Sequence, residues 1–457
     1  MKNIILIFSL TISYLLIISC DYSERPEGSV PNQDVLVQHG IPFKNVPDPR
    51  DVTMYQVNIR TFSKEGNFEG VTSRLDSIKA LGCNVIYLMP IYPVGELKAI
   101  NSPYCIKEYT EVNKEFGSLE DLRILVEKAH SKNMAVILDW VANHTSYDNS
   151  WTKNKSWYLL DSLGKIISPP GMGWNDVAQL NFSNQDMRDE MIKSMKYWIL
   201  AANVDGFRCD YADGPPYEFW KQALDTLRNI PDHKLLMMAE GRRSDHYKAG
   251  FDFTFGFRFF STLKRIFERG RSVKSIEELN ISDYEGATEG QQIIRYTSNH
   301  DVNSSDGTPL DLFGGEKGSM AAFLIAAYMK SVPMIYNGQE VGTPYRLTFP
   351  FTSTTIDWSL NPDLTAAYKK IIAFRNESVP IRRGDLTSFC TDDICAFIKE
   401  YDEEEVLVII NCRDEEVDLS LKTEFINTTW TDAMNESTIQ LPEKISFEPY
   451  EYLVLKK

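Results

Sequence analysis

The sequence predicts an α/β fold: a (β/α)8 TIM barrel with a short inserted domain after strand 3 and a C-terminal antiparallel β domain. Three observations lead there. From Val52 onward, short apolar runs alternate with amphipathic stretches, the pattern of a parallel sheet covered by helices. Eight such runs follow in one unbroken series, which suits a closed barrel rather than an open sheet. Past residue 383 the helices stop and short strands follow one another directly.

The predicted strands are Val52–Ile59, Asn84–Met89, Ala135–Asp139, Asp205–Asp210, Leu235–Ala239, Phe251–Phe255, Ile293–Thr297 and Pro333–Tyr336. Between them lie helical stretches such as Leu119–Lys132, Asp186–Ala202, Glu218–Arg228 and Ser319–Lys330, with Leu364–Arg375 after the last. A barrel of ~250 residues allots roughly 31 residues to each strand–helix unit. Asp210 to Glu240 spans 30 residues, one unit, and Glu240 to Asp301 spans 61, two units. Asp139 to Asp210 spans 71, so about forty extra residues, roughly 145–184, form an insertion rich in Trp, Asn, Gly and Pro. The expected domains are a barrel over 51–382 and a β-sandwich over 383–457. The latter is built on Cys395–Lys399, Glu405–Asn411, Val417–Leu421 and Tyr452–Lys456.

The 457 residues are 43% apolar and carry a net charge of −16. That content supports a full core, and that charge repels phosphate backbones, so nucleic acid is excluded as a partner. The aromatic side chains, 8 Trp, 22 Tyr and 24 Phe, suit flat ligand faces such as sugar rings, although most aromatics serve the core. Trp151, Trp157, Trp174 and Trp358 are the candidates for such stacking.

At the N-terminus Lys2 precedes an uncharged run from Ile4 to Ser19, 16 residues long. A membrane-spanning helix needs ~20, so the run reads as an export signal, residues 1–19. It ends Leu16-Ile17-Ile18-Ser19-Cys20, which resembles the lipobox of bacterial lipoproteins, with Cys20 the acylated residue. Residues 20–50, with five prolines between Pro26 and Pro49, read as a tether. The expected address is the cell envelope, lipid-anchored to a bacterial membrane on the outer surface or the periplasmic face, with the membrane reached by the lipid alone. Of the other cysteines, Cys83 and Cys209 read as buried thiols. Cys390 and Cys395 are spaced to close a hairpin disulfide or to stay free.

Polar residues gather where the barrel strands finish, which is the active face of such a fold. In Gly206-Phe207-Arg208-Cys209-Asp210 the period of two points Arg208 and Asp210 to one side. A guanidinium beside a carboxylate favours the ionised form that a nucleophile needs. The apolar run Leu235–Ala239 stops at Glu240, where an apolar approach suits a proton donor. Two further strands end in Asn299-His300-Asp301 and in Asp139-Trp140-Val141-Ala142-Asn143-His144. Any one such Asp or His is most simply a cap or a structural residue. Four in this order and spacing are not explained that way.

These four segments resemble the signature regions of the α-amylase family, glycoside hydrolase family 13. Ser102-Pro103-Tyr104, Glu115-Phe116-Gly117-Ser118, Tyr55-Gln56-Val57 and Met89-Pro90-Ile91-Tyr92-Pro93 also resemble that family, over roughly residues 50–380. The resemblance implies a retaining glycoside hydrolase that cleaves α-glucosidic bonds in starch-derived oligosaccharides or related α-glucans through a covalent glycosyl-enzyme intermediate. Asp210 would be the nucleophile, Glu240 the general acid/base and Asp301 the carboxylate that holds sugar hydroxyls. Tyr104, Asp139, His144, Arg208 and His300 would be the substrate-binding set. Arg208 would orient Asp210, Asp139 would support the cluster, and His144, His300 and Tyr104 would serve the subsite before the cleaved bond. An α-glucan transglycosylase on the same site and a catalytically silent glycan-binding lipoprotein are the alternatives, and glycan-uptake proteins are conceivable partners.

No cofactor is required by this chemistry. Calcium is the one metal the resemblance raises, with Asn143 the candidate ligand. Gln179, in Ala178-Gln179-Leu180-Asn181, stands where an acidic ligand often does. Two other departures bear on substrate. Cys105 follows Tyr104 where many relatives have Asp. Tyr211-Ala212-Asp213-Gly214 follows Asp210 where many α-amylases carry a Lys-His pair on the leaving-group side.

Overall fold

The structure is a computed structural model that describes residues 36–457. The predicted signal peptide and Cys20 lie outside the described residues. Eight parallel strands close into a barrel: β1 (Met54–Val57), β2 (Val85–Leu88), β3 (Ala135–Val141), β4 (Gly206–Asp210), β5 (Leu236–Ala239), β6 (Phe253–Phe255), β7 (Gln292–Tyr296) and β8 (Val332–Tyr336). Each pairs with the next, and β8 closes on β1 with Met54 opposite Met334. Every predicted barrel strand is found within two residues of its expected bounds. The signal is strong because a barrel strand is covered on both faces, so runs such as Val85-Ile86-Tyr87-Leu88 are apolar throughout and fully buried.

The helices begin where their sequences provide caps. Ser118 and Asp121 form a reciprocal capping box that starts Leu119–Ser131, whose Leu122, Leu125, Val126 and Ala129 face the sheet at helical spacing. Asn184 caps Gln185–Ala201 by a single bond, its side chain accepting from Met187 N–H. Phe257–Arg269 follows β6.

The insertion between β3 and β4 is mostly irregular, held by a short antiparallel pair, His144–Ser146 with Val177–Gln179. Beyond helix Val379–Arg383 comes an antiparallel sheet of six strands: Asp385–Ser388, Ile394–Tyr401, Glu404–Asn411, Thr429–Asp432, Thr438–Gln440 and Tyr452–Lys456. A two-stranded sheet, Val417–Ser420 with Lys444–Phe447, shares its core through Leu419 and Phe447. The four strands that sequence reading missed here are three or four residues long, and in none are two successive residues buried, so they show no apolar run to find.

One expectation is corrected. Residues 20–50 were expected to be a tether, but 38–50 are packed against the barrel. His39 N–H donates to Leu200 O at 2.7 Å, Asn203 holds Ile41 O at 2.8 Å, and Phe43 stacks on His130 at 4.3 Å. Their partners lie in the last turns of two helices, His130 and Leu200, and in the loop that leads into β4, Asn203, on the face opposite the catalytic rim. Among the described residues no helix is long and apolar enough to cross a membrane. Cys390 and Cys395 are unbonded thiols with Sγ atoms 4.0 Å apart, and Cys83 and Cys209 are buried thiols as expected.

Candidate active site

The site is built from the last turns of the strands. In β4 the motif begins with Gly206, at φ +142°, where a Cβ would fall 1.9 Å from the carbonyl oxygen of Leu236 on β5. Only glycine allows that close approach. The alternation then sends Phe207 outward onto Trp140, at 5.4 Å, and Arg208 and Asp210 inward. Arg208 is fully buried. Its Nη1 donates to Asp139 Oδ1 at 2.7 Å and to Asp210 Oδ1 at 2.9 Å, and its Nη2 pairs with Oε1 of Glu240. Three carboxylates from three neighbouring strands therefore converge on one guanidinium.

Asp139 lies within β3 rather than at its end and is wholly buried, its Oδ2 accepting from the hydroxyls of Tyr87 (2.6 Å) and Tyr104 (3.1 Å). This corrects its place, and that of Arg208, in the expected substrate-binding set: both lie beneath the floor of the cleft and position the groups above. Glu240 also differs from expectation. Its surroundings are polar, for besides Arg208 it accepts the backbone N–H of Tyr211 at Oε2, 2.9 Å away.

Asp301 occupies the first turn of the short helix after β7, His300–Ser305. Asn299 caps that helix by accepting from the N–H groups of Asp301 and Val302. The cap is thus supplied by Asn299, and the Asp301 side chain is left 62% exposed to the cleft. His300 is buried between Gln56, whose Nε2 donates to its Nδ1 at 2.8 Å, and Tyr104, whose hydroxyl is 2.7 Å from its Nε2. With the orientation of Gln56 assigned from this network, the ring's hydrogen lies on Nε2. His144 and His300 are both pushed down to about 4, chiefly by burial, so both rings are neutral hydrogen-bonding groups near neutral pH.

Burial raises Asp210 well above the usual carboxylate range against the opposing pull of Arg208, and the neighbouring carboxylates Glu240, Asp139 and Asp301 add to the rise. Arg208 alone was expected to keep Asp210 ionised. It is shared among three acids, so the stabilisation it gives Asp210 is divided.

Asp210, Glu240 and Asp301 line one cleft of about 390 Å³ together with Tyr104, His144 and His300. The structure brings all six together at the rim, as the sequence implied. Of the four tryptophans only Trp174 lines the cleft. Trp151 packs on Tyr109 at 4.8 Å, edge-on to Trp157 at 5.4 Å, and Trp358 lies against Phe62 under Arg74. Gln56 and Tyr87 support the site without having been singled out, because mid-strand polar residues carry no motif of their own. Tyr211 also lines the cleft. The thiol of Cys105 is buried, turned onto Asp176 O at 3.4 Å, and leaves Tyr104 in place.

The donor set at Asn143 does not fit a calcium ion. Its side-chain oxygen accepts from Gln179 Nε2 at 3.2 Å, and its amide donates back to Gln179 Oε1 at 3.2 Å, so two neutral amides satisfy each other. Among the described residues no group of three or more His, Cys, Asp or Glu is arranged to hold a metal.

Comparison with known proteins agrees with this geometry. Residues 39–159 and 172–349 match the alpha amylase catalytic domain, and residues 390–454 match the maltogenic amylase C-terminal domain. Alpha-amylase 2 of Dictyoglomus thermophilum is 28% identical over 87% of this chain and 72% of its own length. Two solved structures share the fold at 24% identity. An alpha-amylase from Lactobacillus plantarum has a TM-score of 0.81, over 90% of this chain and 99% of its own. The noncanonic maltogenic alpha-amylase AmyB from Thermotoga neapolitana has a TM-score of 0.80 over the same shares.

Proposed function

This chain belongs to the α-amylase family of glycoside hydrolases, and from that premise we propose that it cleaves α-glucosidic bonds of starch-derived oligosaccharides with retention of configuration. The observation that carries the reading is the single buried guanidinium of Arg208, which holds Asp210 at 2.9 Å on one nitrogen and Glu240 on the other. Carboxylates that meet on adjacent nitrogens of one guanidinium suit the ~5–5.5 Å pair of a retaining enzyme better than the ~6.5–9.5 Å pair of an inverting one.

In the first step Glu240 gives its proton to the bridging oxygen while an oxygen of Asp210 attacks the anomeric carbon. The carbon–oxygen bond breaks, the leaving sugar departs with the proton, and the glycosyl group stays bonded to Asp210. In the second step Glu240, now ionised, takes a proton from water as that water attacks the same carbon and releases Asp210. Asp301, exposed to the cleft, accepts from sugar hydroxyls and offsets the positive charge that develops on the ring. Neutral His144 donates to the same sugar, while His300 gives its Nε2 hydrogen to the Tyr104 hydroxyl and holds that ring in place.

The test is a product analysis on starch, pullulan, maltose, isomaltose, sucrose and cyclodextrins, with the anomer of the first product followed by NMR. Release of the α-anomer, abolished in Asp210→Asn, is expected. Release of the β-anomer excludes the covalent intermediate, and binding of maltooligosaccharides with no rate altered by Glu240→Gln leaves only a glycan-binding role.

The N-terminal residues support a further part of the reading: a lipid on Cys20 that keeps the enzyme at the cell envelope. Labelling with a fatty-acid analogue tests it, the expected label being lost in Cys20→Ala.

A further inference from the structure

The two cysteines in the first hairpin of the C-terminal domain face each other. Phe389 N–H donates to Ala396 O at 2.8 Å and Thr391 N–H to Ile394 O at 2.9 Å, which carries the register of Asp385–Ser388 against Ile394–Tyr401 on to the turn. Cys390 and Cys395 are the opposed pair between these two hydrogen-bonded ones. In such a non-hydrogen-bonded pair the Cα atoms stand ~4.5 Å apart with both side chains on one face, inside the ~4.4–6.8 Å that a disulfide spans. The Sγ atoms are 4.0 Å apart, so what separates them is side-chain rotation rather than backbone position.

The third thiol of this domain is out of line. Cys395 stands opposite Ile410, two residues before Cys412, and Cys412 Sγ turns onto Ile410 O at 3.7 Å. The hairpin is also where the domain grips the barrel. Cys390 N–H donates to Glu277 Oε1 at 3.0 Å, Val273 N–H to Asp392 O at 2.9 Å and Ser272 Oγ to Asp392 Oδ1 at 2.6 Å. Arg413 spans the junction, with Nε on Asp393 Oδ1 at 2.7 Å and Nη1 on Ile266 O, in helix Phe257–Arg269, at 3.0 Å.

We propose that Cys390 and Cys395 are a cross-linking site, a dithiol that an external disulfide oxidises to a disulfide closing the hairpin that holds the barrel. The reaction is thiol–disulfide exchange. Cys390, 7% exposed against 0% for Cys395, attacks first as the thiolate. Its sulfur bonds to one sulfur of the external disulfide, and the other half leaves as a thiol carrying the proton. Cys395 then gives up its proton and attacks Cys390 Sγ, and the second half leaves as a thiol. The two cysteines lose two electrons and two protons, and the external disulfide gains both. The hydrogen bond from Cys390, together with burial, holds the Cys395 thiol well above the usual range, so this second step waits on local opening of the hairpin end, where Asp392 is exposed. The envelope address proposed above is a setting in which such disulfides are met.

The experiment holds the full chain in oxidised glutathione about 10 °C below its Tm, where local opening admits the reagent without unfolding the protein. The protein is then denatured, blocked with iodoacetamide and digested with trypsin. Cuts after Arg383 and Lys399 leave both cysteines in one peptide, 384–399, with no site between them. That peptide is expected to be unalkylated and lighter by two hydrogens, and doubly alkylated after dithiothreitol. The closed loop is short, so the oxidised protein should melt only about 2 °C or more above the reduced one. Cys412→Ser should leave both results unchanged, and Cys390→Ser and Cys395→Ser should abolish the difference in Tm. Double alkylation of the wild-type peptide overturns the proposal. So does a cross-link from either cysteine to Cys412, a glutathione adduct on Cys390 that leaves Cys395 open to alkylation, or an oxidised protein that melts no higher than the reduced one. The peptide result needs no variant, so it stands even where a serine variant does not fold.

Discussion

Arg208 and Asp210 stand two residues apart on one strand, and the 2.9 Å bond between them is made wholly inside the protein, with Arg208 0% exposed. A fully buried guanidinium is tolerated because Asp139, Asp210 and Glu240 surround it. Arg208→Lys keeps the charge but not the planar fork that reaches three acids. We expect kcat on a maltooligosaccharide to fall by about 10²–10³-fold, with the circular dichroism spectrum retained. A loss under about tenfold would show that the bridging geometry is dispensable.

The glycine that opens this motif serves the fold. At Gly206 an added Cβ would collide with backbone, which does not move aside as a side chain does. Gly206→Ala is expected to destabilise the protein by on the order of 3 kcal/mol or more, read as a lowered midpoint in denaturant, whereas Ala at Gly164, where no atom lies within 4 Å and only the left-handed φ of +71° opposes a side chain, should cost about 1 kcal/mol. Equal midpoints for the two variants would contradict the close β4–β5 approach.

Behind β8, burial raises Glu340 from 4.5 to about 7, against the opposing hydrogen bond from the hydroxyl of Tyr55. Its folded state binds a proton more tightly than its unfolded state. The stability this group contributes is therefore present below pH 4.5 and is lost as pH rises through about 7. In Glu340→Gln that loss disappears, so the stability of the variant relative to wild type should rise by up to about 3 kcal/mol between pH 5 and pH 8. Denaturant titrations across that range measure it, and a constant difference at every pH would refute it.

The interlocked amides of Asn143 and Gln179 carry a prediction about metal removal. With its oxygen already accepting from Gln179, Asn143 gives a hard dication little to bind. Dialysis against a chelator should shift Tm by less than about 1 °C and leave the rate unchanged. A fall of several degrees, restored by calcium, would show that this donor set rearranges around an ion.

The barrel was legible because each strand is buried on two sides, which forces runs such as Val85–Leu88 to be apolar and lets spacing alone count the units. The rim acids were legible for a related reason. The chain must end each strand at the same face, so Asp210, Glu240 and Asp301 are brought together by topology whatever the details of packing. The small strands of the C-terminal domain lacked any such constraint, and the packing of residues 38–50 depends on single hydrogen bonds and one ring stack with residues distant in the chain.

What the sequence by itself determined was the order of strands, the face on which the polar residues meet and the family to which the motifs point. Each of these follows from local periodicity and spacing. Only the tertiary structure decided which groups share Arg208, that Asp139 is wholly buried and does not line the cleft, that Asn299 rather than Asp301 caps its helix, and that Trp174 alone among the four candidate tryptophans reaches the cleft. Those outcomes depend on contacts between residues as far apart in the chain as Tyr104 and His300, and no local pattern encodes a distance of that kind.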